Sequence, residues 1–170
     1  MNIVLIGFMG VGKSALGHLL AKKLGMNFLD TDELIEKTEE RTINEIFKAD
    51  GEEYFRELET EVVKTLQDYD NFVLSTGGGI VLWEENVGLL KSIGPLVLLD
   101  ADPEIIFTRI KGQTHRPLLQ VADPETEIKK ILELRRPIYD RVADYKVDTT
   151  RISPEQGVEE ITQWLKSKSI

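Results

Sequence analysis

Residues 7–14, which read GFMGVGKS, constrain the fold more than any other part of the chain. They match the pattern G-x-x-x-x-G-K-[ST] and follow residues 2–6, an apolar stretch with the length of a buried strand. Residues 13–24 place leucines on one helical face, so the pattern lies between a strand and a helix. In that setting backbone N–H groups surround phosphate oxygens, a lysine contacts the β- and γ-phosphates and a hydroxyl ligates Mg²⁺. The sequence therefore predicts a nucleoside triphosphate site at Gly10, Val11, Gly12, Lys13, Ser14 and Ala15.

Composition excludes several other classes of protein. The chain has 170 residues, 41% hydrophobic and 30% charged, which is ordinary for one globular domain. It contains no cysteine, so disulfides, thiolate metal sites and a cysteine nucleophile are excluded. A net charge of −9 argues against a nucleic-acid partner, and the N-terminal apolar run is too short to span a membrane. We expect a cytoplasmic enzyme with one domain over residues 1–170.

Strand and helix patterns alternate along the whole chain, which predicts an α/β fold with a parallel sheet between two layers of helices. Five short apolar runs are the predicted strands: residues 2–6, 28–30, 72–75, 96–99 and 145–148. The predicted helices cover residues 13–24, 32–37, 42–50, 52–68, 84–92, 103–111, 124–142 and a last segment from residue 153. Thr42 with Glu45, and Ser153 with Gln156, have the spacing of capping boxes at helix starts.

Three unusual loops follow the first three predicted strands. They are the glycine-rich residues 7–14, the acidic residues 30–32, and residues 76–79, which read Thr-Gly-Gly-Gly. Ligands of parallel sheets gather at the carboxyl ends of the strands, so these loops are expected to meet at one edge. Three successive glycines at a strand end favour a backbone that approaches a ligand closely, although a flexible turn is the alternative.

Asp30 and Asp32 have two interpretations. Both precede a predicted helix, where an acidic residue caps the first turn and suits the helix dipole. Alternatively, Asp30 lies in the water shell of Mg²⁺, while Asp32 accepts a hydrogen bond from a substrate hydroxyl and helps to deprotonate it. On their own, the two residues favour the capping interpretation.

The arginines are individually ambiguous. Arg56 on the long helix has Glu52, Glu53 and Glu59 within ion-pair spacing, and Arg109 lies in the last turn of a helix, where cations are favoured in any case. Arg116 differs, because it lies in a polar stretch without helical periodicity between two helices. Such a stretch is typical of a mobile lid, here about residues 112–123.

Taken together, these segments resemble the shikimate kinase family in order and spacing over essentially the whole chain. The matching segments are residues 7–14, Asp30-Thr31-Asp32, Arg56 with Glu59, residues 75–79, Arg116-Pro117-Leu118-Leu119 and Arg135-Arg136-Pro137-Ile138-Tyr139. The Arg56–Glu59 pair followed by the triple glycine is the most specific element, since the first motif alone identifies only a superfamily.

The resemblance implies a five-stranded P-loop kinase fold with lid closure, and ATP-dependent phosphorylation of the shikimate 3-hydroxyl in aromatic amino acid biosynthesis. It implies that Lys13 and Ser14 hold phosphates and Mg²⁺, with Asp30 in the outer shell of the metal. Asp32 would bind ring hydroxyls, and Arg116 would reach the transferring phosphate. The remaining implied contacts are Arg56 and Arg135 to the carboxylate, Gly77, Gly78 and Gly79 to the acceptor, Arg109 to adenine, and Arg151 in an adenine loop at residues 151–154.

Two alternatives stay open at this point. One is another small hydroxy-acid kinase of similar build, such as a gluconate kinase. The other is a nucleotide-binding protein without turnover. The chain has no Asn-Lys-x-Asp guanine-reading motif, which disfavours a GTPase switch, and it keeps Lys13, Asp32, Arg56, Arg116 and Arg135, which disfavours a protein without turnover. Kinetic comparison of shikimate with gluconate separates the first alternative. The expected partners are ATP, Mg²⁺ and shikimate, bound by a monomer.

Overall fold

A computed structural model of the chain describes residues 1–113 and 120–169. Its strands are β1 (Asn2–Ile6), β2 (Asn27–Asp30), β3 (Phe72–Ser75), β4 (Leu96–Asp100) and β5 (Tyr145–Asp148). Its helices are α1 (Lys13–Leu24), α2 (Thr31–Glu39), α3 (Ile43–Thr65), α4 (Glu84–Ile93), α5 (Pro103–Ile110), α6 (Pro124–Val142) and α7 (Pro154–Ser167). Short 3₁₀ turns at Leu66–Asp68 and Ile80–Leu82 complete the described elements.

The five strands form one sheet in the order β2-β3-β1-β4-β5, and every neighbouring pair is parallel. The predicted α/β fold with a five-stranded parallel sheet is therefore confirmed. All five residues of β1 are buried, as expected for the central strand of a sheet covered on both faces. In the sheet β1 lies between β3 and β4; the chain leaves β1 towards β2 on one side and leaves β3 towards β4 on the other. The loop after β1 therefore opens at the point where the strand order reverses.

Local sequence signals account for most helix boundaries. Thr42 with Glu45 and Ser153 with Gln156 both form complete capping boxes, as predicted. Gly25 ends α1 in the left-handed conformation, with φ 67°. Helix α5 begins at Pro103, and the side chain of the preceding Asp102 makes no capping hydrogen bond.

The boundary between two predicted helices at residue 51 is a kink inside α3. Gly51 has φ 84° and ψ 177°, which is not helical, yet helical hydrogen bonding continues on both sides. The helices predicted at residues 42–50 and 52–68 therefore run together as Ile43–Thr65. Similarly, α2 covers Thr31–Glu39 rather than residues 32–37, because the Asp30 side chain caps it one residue earlier.

Apolar side chains form two clusters. The larger surrounds the sheet and includes β1, β3, β4 and the inner faces of α1, α4, α6 and α7. The smaller lies between α2 and α3 and is centred on Ile35, Ile46 and Phe55. The α2–α3 segment thus has a partly separate core. No helix in the described ranges is both long and apolar enough to cross a membrane.

Candidate active site

A cavity of about 600 Å³ opens at the carboxyl ends of β1, β2 and β3. Its walls come from the loop after β1, the start of α2, both halves of α3, the triple-glycine loop after β3, and α6. The predicted site residues on these walls are Gly10, Gly12, Lys13, Ser14, Ala15, Asp30, Asp32, Arg56, Gly77, Gly78, Gly79 and Arg135. Residues from both halves of the chain therefore meet at one edge of the sheet.

The loop after β1 has the geometry of a phosphate cradle. The Lys13 ammonium donates hydrogen bonds to the carbonyl oxygens of Gly7 and Phe8 at 2.7 and 2.8 Å, which holds it inside the loop. Gly7 has φ 138°, and a Cβ there would overlap the backbone oxygen of Leu99 in β4, so this position requires glycine. Gly7 thus allows both the close approach to β4 and the turn of the loop after β1.

Ser14 and Asp30 place two hard oxygen ligands beside the loop. The Ser14 hydroxyl donates to Asp30 Oδ2 at 3.3 Å, and Asp30 Oδ1 accepts from the Asp32 backbone N–H at 2.9 Å. Asp30 therefore caps α2, as one interpretation predicted, while its second oxygen faces Ser14. One hydroxyl and one carboxylate suit Mg²⁺, which keeps several waters and takes its other ligands from phosphate oxygens. In the described part of the chain, no three His, Asp or Glu side chains form a closed metal cage.

Arg56 and Glu59 form a buried ion pair on α3. Arg56 Nη1 donates to Glu59 Oε2 at 2.7 Å, and Nη2 donates to the exposed Glu52 at 3.2 Å. Burial disfavours the charge of Arg56, but the two carboxylates outweigh it and raise the pKa of the guanidinium. Glu59 is 0% exposed, and burial raises its pKa to about 7 although Arg56 pulls it down. No described residue hydrogen-bonds to Glu59 Oε1.

Arg135 on α6 is a buried cation of a different kind. It is 8% exposed, and its guanidinium lies 5.7 Å from the centroid of the Phe8 ring. Within residues 1–113 and 120–169, no carboxylate forms an ion pair with it. Its charge lowers the pKa of Glu59, but burying a cation without a direct carboxylate contact is still costly, so Arg135 favours an anion in the adjoining cavity.

The triple-glycine loop connects these charged groups. The Gly77 N–H donates to the Thr31 hydroxyl at 2.9 Å, which ties the loop to α2. A Cβ on Gly77 would lie 2.6 Å from Glu59 Oε1 and 3.1 Å from Asp32 Oδ1, so both carboxylates adjoin this glycine. A Cβ on Gly79 would lie 2.5 Å from Arg56 Cζ. A side chain at either position would therefore displace these charged groups.

Some predicted site residues lie elsewhere. Val11 belongs to the loop after β1, and its side chain is 0% exposed and packs in the larger apolar cluster. Arg109 lies beside the cavity and donates to the Gly10 carbonyl oxygen at 3.2 Å and to the Thr149 carbonyl oxygen at 2.7 Å. Arg151 is exposed and is not part of the cavity wall. Arg116, with Pro117, Leu118 and Leu119, lies outside the described residues, so its contacts with phosphate and the lid remain predictions.

Sequence reasoning missed three features of this site. The buried stripe of α3 includes Arg56 and Glu59, whereas the apolar side chains of Leu58 and Val62 on the same helix are only half-buried. Thr31 was assigned no contact, although its hydroxyl holds the glycine loop. Tyr139 was assigned no role, although its hydroxyl contacts the same loop. The i,i+3 spacing of Arg56 and Glu59 indicates an ion pair but not its burial.

Comparisons with known proteins agree with this geometry. The family model described as "Shikimate kinase" matches residues 9–166. A shikimate kinase of Thermodesulfovibrio yellowstonii is 48% identical over 94% of this chain and 92% of its own length, and one of Pelotomaculum thermopropionicum is 50% identical over 97% and 95%. The structure of Acinetobacter baumannii shikimate kinase in complex with shikimate superposes with a TM-score of 0.96 at 38% identity, covering 99% of this chain and 94% of that one. The Aquifex aeolicus shikimate kinase gives a TM-score of 0.87 at 43% identity, covering 100% and 99%.

The fold and the cavity define a P-loop kinase in which Arg56 and Arg135 are buried cations of the cavity wall. Its similarity to shikimate kinases extends over residues 9–166 in the family model and over 99% of the chain in the Acinetobacter baumannii structure. The chain belongs to the shikimate kinase family. The predictions of the family, of the fold and of an ATP-dependent shikimate kinase are therefore confirmed.

Proposed function

We propose that this cavity transfers the γ-phosphoryl group of ATP directly to the 3-hydroxyl of shikimate, giving shikimate 3-phosphate and ADP. The observation that carries the proposal is the meeting of a P-loop lysine with two buried arginines across one cavity of about 600 Å³. Lys13 suits the phosphates, while Arg56 and Arg135 suit a small carboxylate. The same cavity therefore offers cationic side chains to both anionic substrates, ATP and shikimate.

The acceptor is proposed to bind between α2, α3, α6 and the glycine loop. Arg135 lacks a carboxylate partner in the described ranges, and Arg56 is fixed by Glu59, so the two guanidinium groups can share one carboxylate of the ligand. Asp32, next to Gly77, would then accept a hydrogen bond from a ring hydroxyl. The backbone of Gly78 and Gly79 completes the proposed contact surface.

In the proposed reaction, the acceptor oxygen forms a bond to the γ-phosphorus while the bond from that phosphorus to the β,γ-bridging oxygen breaks. Asp32 takes the hydroxyl proton, and ADP leaves with the bond electrons. Lys13 holds the phosphates, and backbone N–H groups of Gly10, Gly12, Ser14 and Ala15 line the cradle. Positioning and charge stabilisation suffice for this chemistry, so no phosphoenzyme is needed.

Mg²⁺ is proposed as the cofactor, held by the Ser14 hydroxyl with Asp30 in its outer shell. When bound, the ion neutralises charge on the β- and γ-phosphates. The proposal is supported by the 3.3 Å approach of Ser14 to Asp30, which puts both oxygens at the mouth of the phosphate loop.

The lid and the adenine contacts complete the proposal. Arg116, on a lid of about residues 112–123, would reach the transferring phosphate, and closure would exclude water from ATP. Arg109 and Arg151 would flank the adenine, and the hydrogen bonds from Arg109 to Gly10 and Thr149 support its position beside the phosphate loop.

We also propose that the protein acts as a cytoplasmic monomer. In support, a chain without cysteine suits a reducing compartment.

A coupled ADP-release assay tests the proposed function. The assay compares shikimate with a panel of hydroxy acids that includes gluconate, in each case against ATP alone. We expect the kcat/KM for shikimate to exceed that of every other acid. Equal or faster turnover of gluconate would favour a different hydroxy-acid kinase, and nucleotide binding without ADP release would indicate a non-catalytic homologue.

A further inference from the structure

The phenol of Tyr139 contacts the glycine loop from behind the cavity. Tyr139 is 2% exposed, and its hydroxyl donates a hydrogen bond to the carbonyl oxygen of Gly78 at 2.5 Å, across 61 residues of sequence. Burial raises the pKa of the phenol to about 12, against the opposing charge of Arg135, so it stays protonated and able to donate at neutral pH. The hydrogen bond is therefore expected to persist at neutral pH.

Holding this carbonyl also orients the next amide. The Gly78 C=O and the Gly79 N–H belong to one planar trans peptide, in which they point in opposite directions. A carbonyl that faces Tyr139 therefore directs the Gly79 N–H away from α6. Gly79 in turn adjoins Arg56, since a Cβ there would lie 2.5 Å from the guanidinium carbon. The hydrogen bond thus fixes the backbone against which Arg56 packs.

The same tyrosine lies one helical turn after Arg135. Residues i and i+4 lie on one face of a helix, so both side chains of α6 face the glycine loop. A Cβ on Gly78 would lie 3.6 Å from Arg135 Nη1, which places Arg135 against the residue that Tyr139 holds. The distance between the two arginines depends on how α6 docks against this loop.

We propose that Tyr139 is a positioning residue for the acceptor carboxylate, because its hydrogen bond to Gly78 sets the spacing between Arg135 and the Arg56–Gly79 pair. The inference rests on the proposed function, in which these two arginines share the carboxylate. Tyr139 itself lies behind the loop and touches no reacting atom.

Steady-state kinetics of Tyr139→Phe test this role. The substitution removes one oxygen and keeps the ring, so the packing of α6 is retained. We expect the KM for shikimate to rise about three- to tenfold, the effect of one neutral hydrogen bond, while kcat and the KM for ATP stay within about twofold. Tyr145→Phe is the matched control, because Tyr145 donates to Glu160 at 3.0 Å and stacks on Trp164, away from the cavity. Its KM for shikimate should equal that of the wild type.

A double-mutant cycle with Arg135→Lys separates positioning from a general structural role. If Tyr139 acts through Arg135, Tyr139→Phe should raise the KM for the acceptor by less in the Arg135→Lys background than in the wild type. Three results would each overturn the proposal. They are fully additive effects of the two substitutions, an unchanged KM for shikimate in Tyr139→Phe, and an equal rise in the KM values for shikimate and ATP with a lower thermal midpoint. The kinetics use whichever acid of the panel the wild type phosphorylates best. A preferred acid other than shikimate would thus refute the proposed substrate, while the role of Tyr139 would still be decided.

Discussion

The carboxyl group of Glu59 is completely buried beside a cation that stays charged at every relevant pH. One of its oxygens accepts from Arg56 at 2.7 Å, and the other adjoins Gly77 and Asp32. Burial raises the pKa of Glu59 from an ordinary value of 4.5 to about 7, against the attraction of Arg56. Since the pKa is higher in the folded chain than in the unfolded one, this group couples folding to proton binding.

Glu59→Gln should therefore change how stability depends on pH. Between pH 4.5 and 7 the unfolded chain has released this proton and the folded chain has not, so the contribution of Glu59 is greatest below pH 4.5 and is lost as pH rises through 7. The unfolding free energy of the wild type, relative to Glu59→Gln, should fall by about 1.4 kcal/mol per pH unit at most across this window and level off above it. Urea unfolding at pH 5, 6, 7 and 8 measures the difference.

A matched control removes the other carboxylate that forms an ion pair with Arg56. Glu52→Gln deletes the half-exposed partner of Arg56 and leaves the buried one in place. Glu52→Gln should not reproduce the pH-dependent difference in unfolding free energy. If it does, or if the wild type and Glu59→Gln differ by a constant unfolding free energy from pH 5 to 8, the raised pKa of Glu59 is wrong.

At the scale of single elements, local signals were sufficient for the nucleotide side and insufficient for the acceptor side. The residues of the loop after β1 are contiguous, and their strand, turn and helix patterns adjoin each other, so this element could be predicted directly. The charged stripe of α3 could not be, because an arginine and a glutamate at helical spacing are usually exposed. Their burial depends on the glycine loop, which the chain reaches only after β3. The contact between Tyr139 and Gly78 spans 61 residues and has no local signature.

Gly79→Ala tests the close approach of the glycine loop to α3. Gly79 has φ −93° and ψ −2°, a conformation open to alanine, so the backbone itself is not strained. The new methyl group would instead meet the Arg56 guanidinium, whose flexible side chain has to move. We expect kcat/KM for shikimate to fall about tenfold or more, as for a displaced charged hydrogen bond, with the KM for ATP nearly unchanged.

Gly88→Ala provides the comparison for that experiment. Gly88 lies in α4, and a Cβ there meets no atom within 4 Å. Alanine is favoured over glycine in a helix, so this variant should be as stable as the wild type or more so, with unchanged kinetics. Full activity of Gly79→Ala would mean that Arg56 adapts without loss and that its position is not critical.

At the scale of the whole molecule, the proposed nucleotide and acceptor sides of the cavity belong to parts of the fold with different cores. The nucleotide loop is anchored on β1 and belongs to the larger cluster. The acceptor wall formed by α2 and the first half of α3 packs on the smaller cluster of Ile35, Ile46 and Phe55 and is interrupted by the kink at Gly51. Segments with few buried apolar contacts open locally at lower free energy than the central strands of a sheet. The acceptor wall is thus expected to be the more easily opened side of the cavity.

Hydrogen exchange with each ligand separately should resolve these two parts. Without ligand, amides of α2 and the first half of α3 should exchange faster than those of β1, β3 and β4. Because a ligand stabilises the conformation that it binds, shikimate should slow exchange in residues 31–56, while a non-hydrolysable ATP analogue should slow it mainly in residues 7–16. Arg56→Lys should abolish the protection by shikimate and keep that by the nucleotide, since Arg56 is proposed to contact only the acceptor. Two results would show that the α2–α3 segment does not open independently of the sheet. One is equally slow exchange in this segment and in the sheet before ligand is added, and the other is protection by shikimate that is confined to the nucleotide loop.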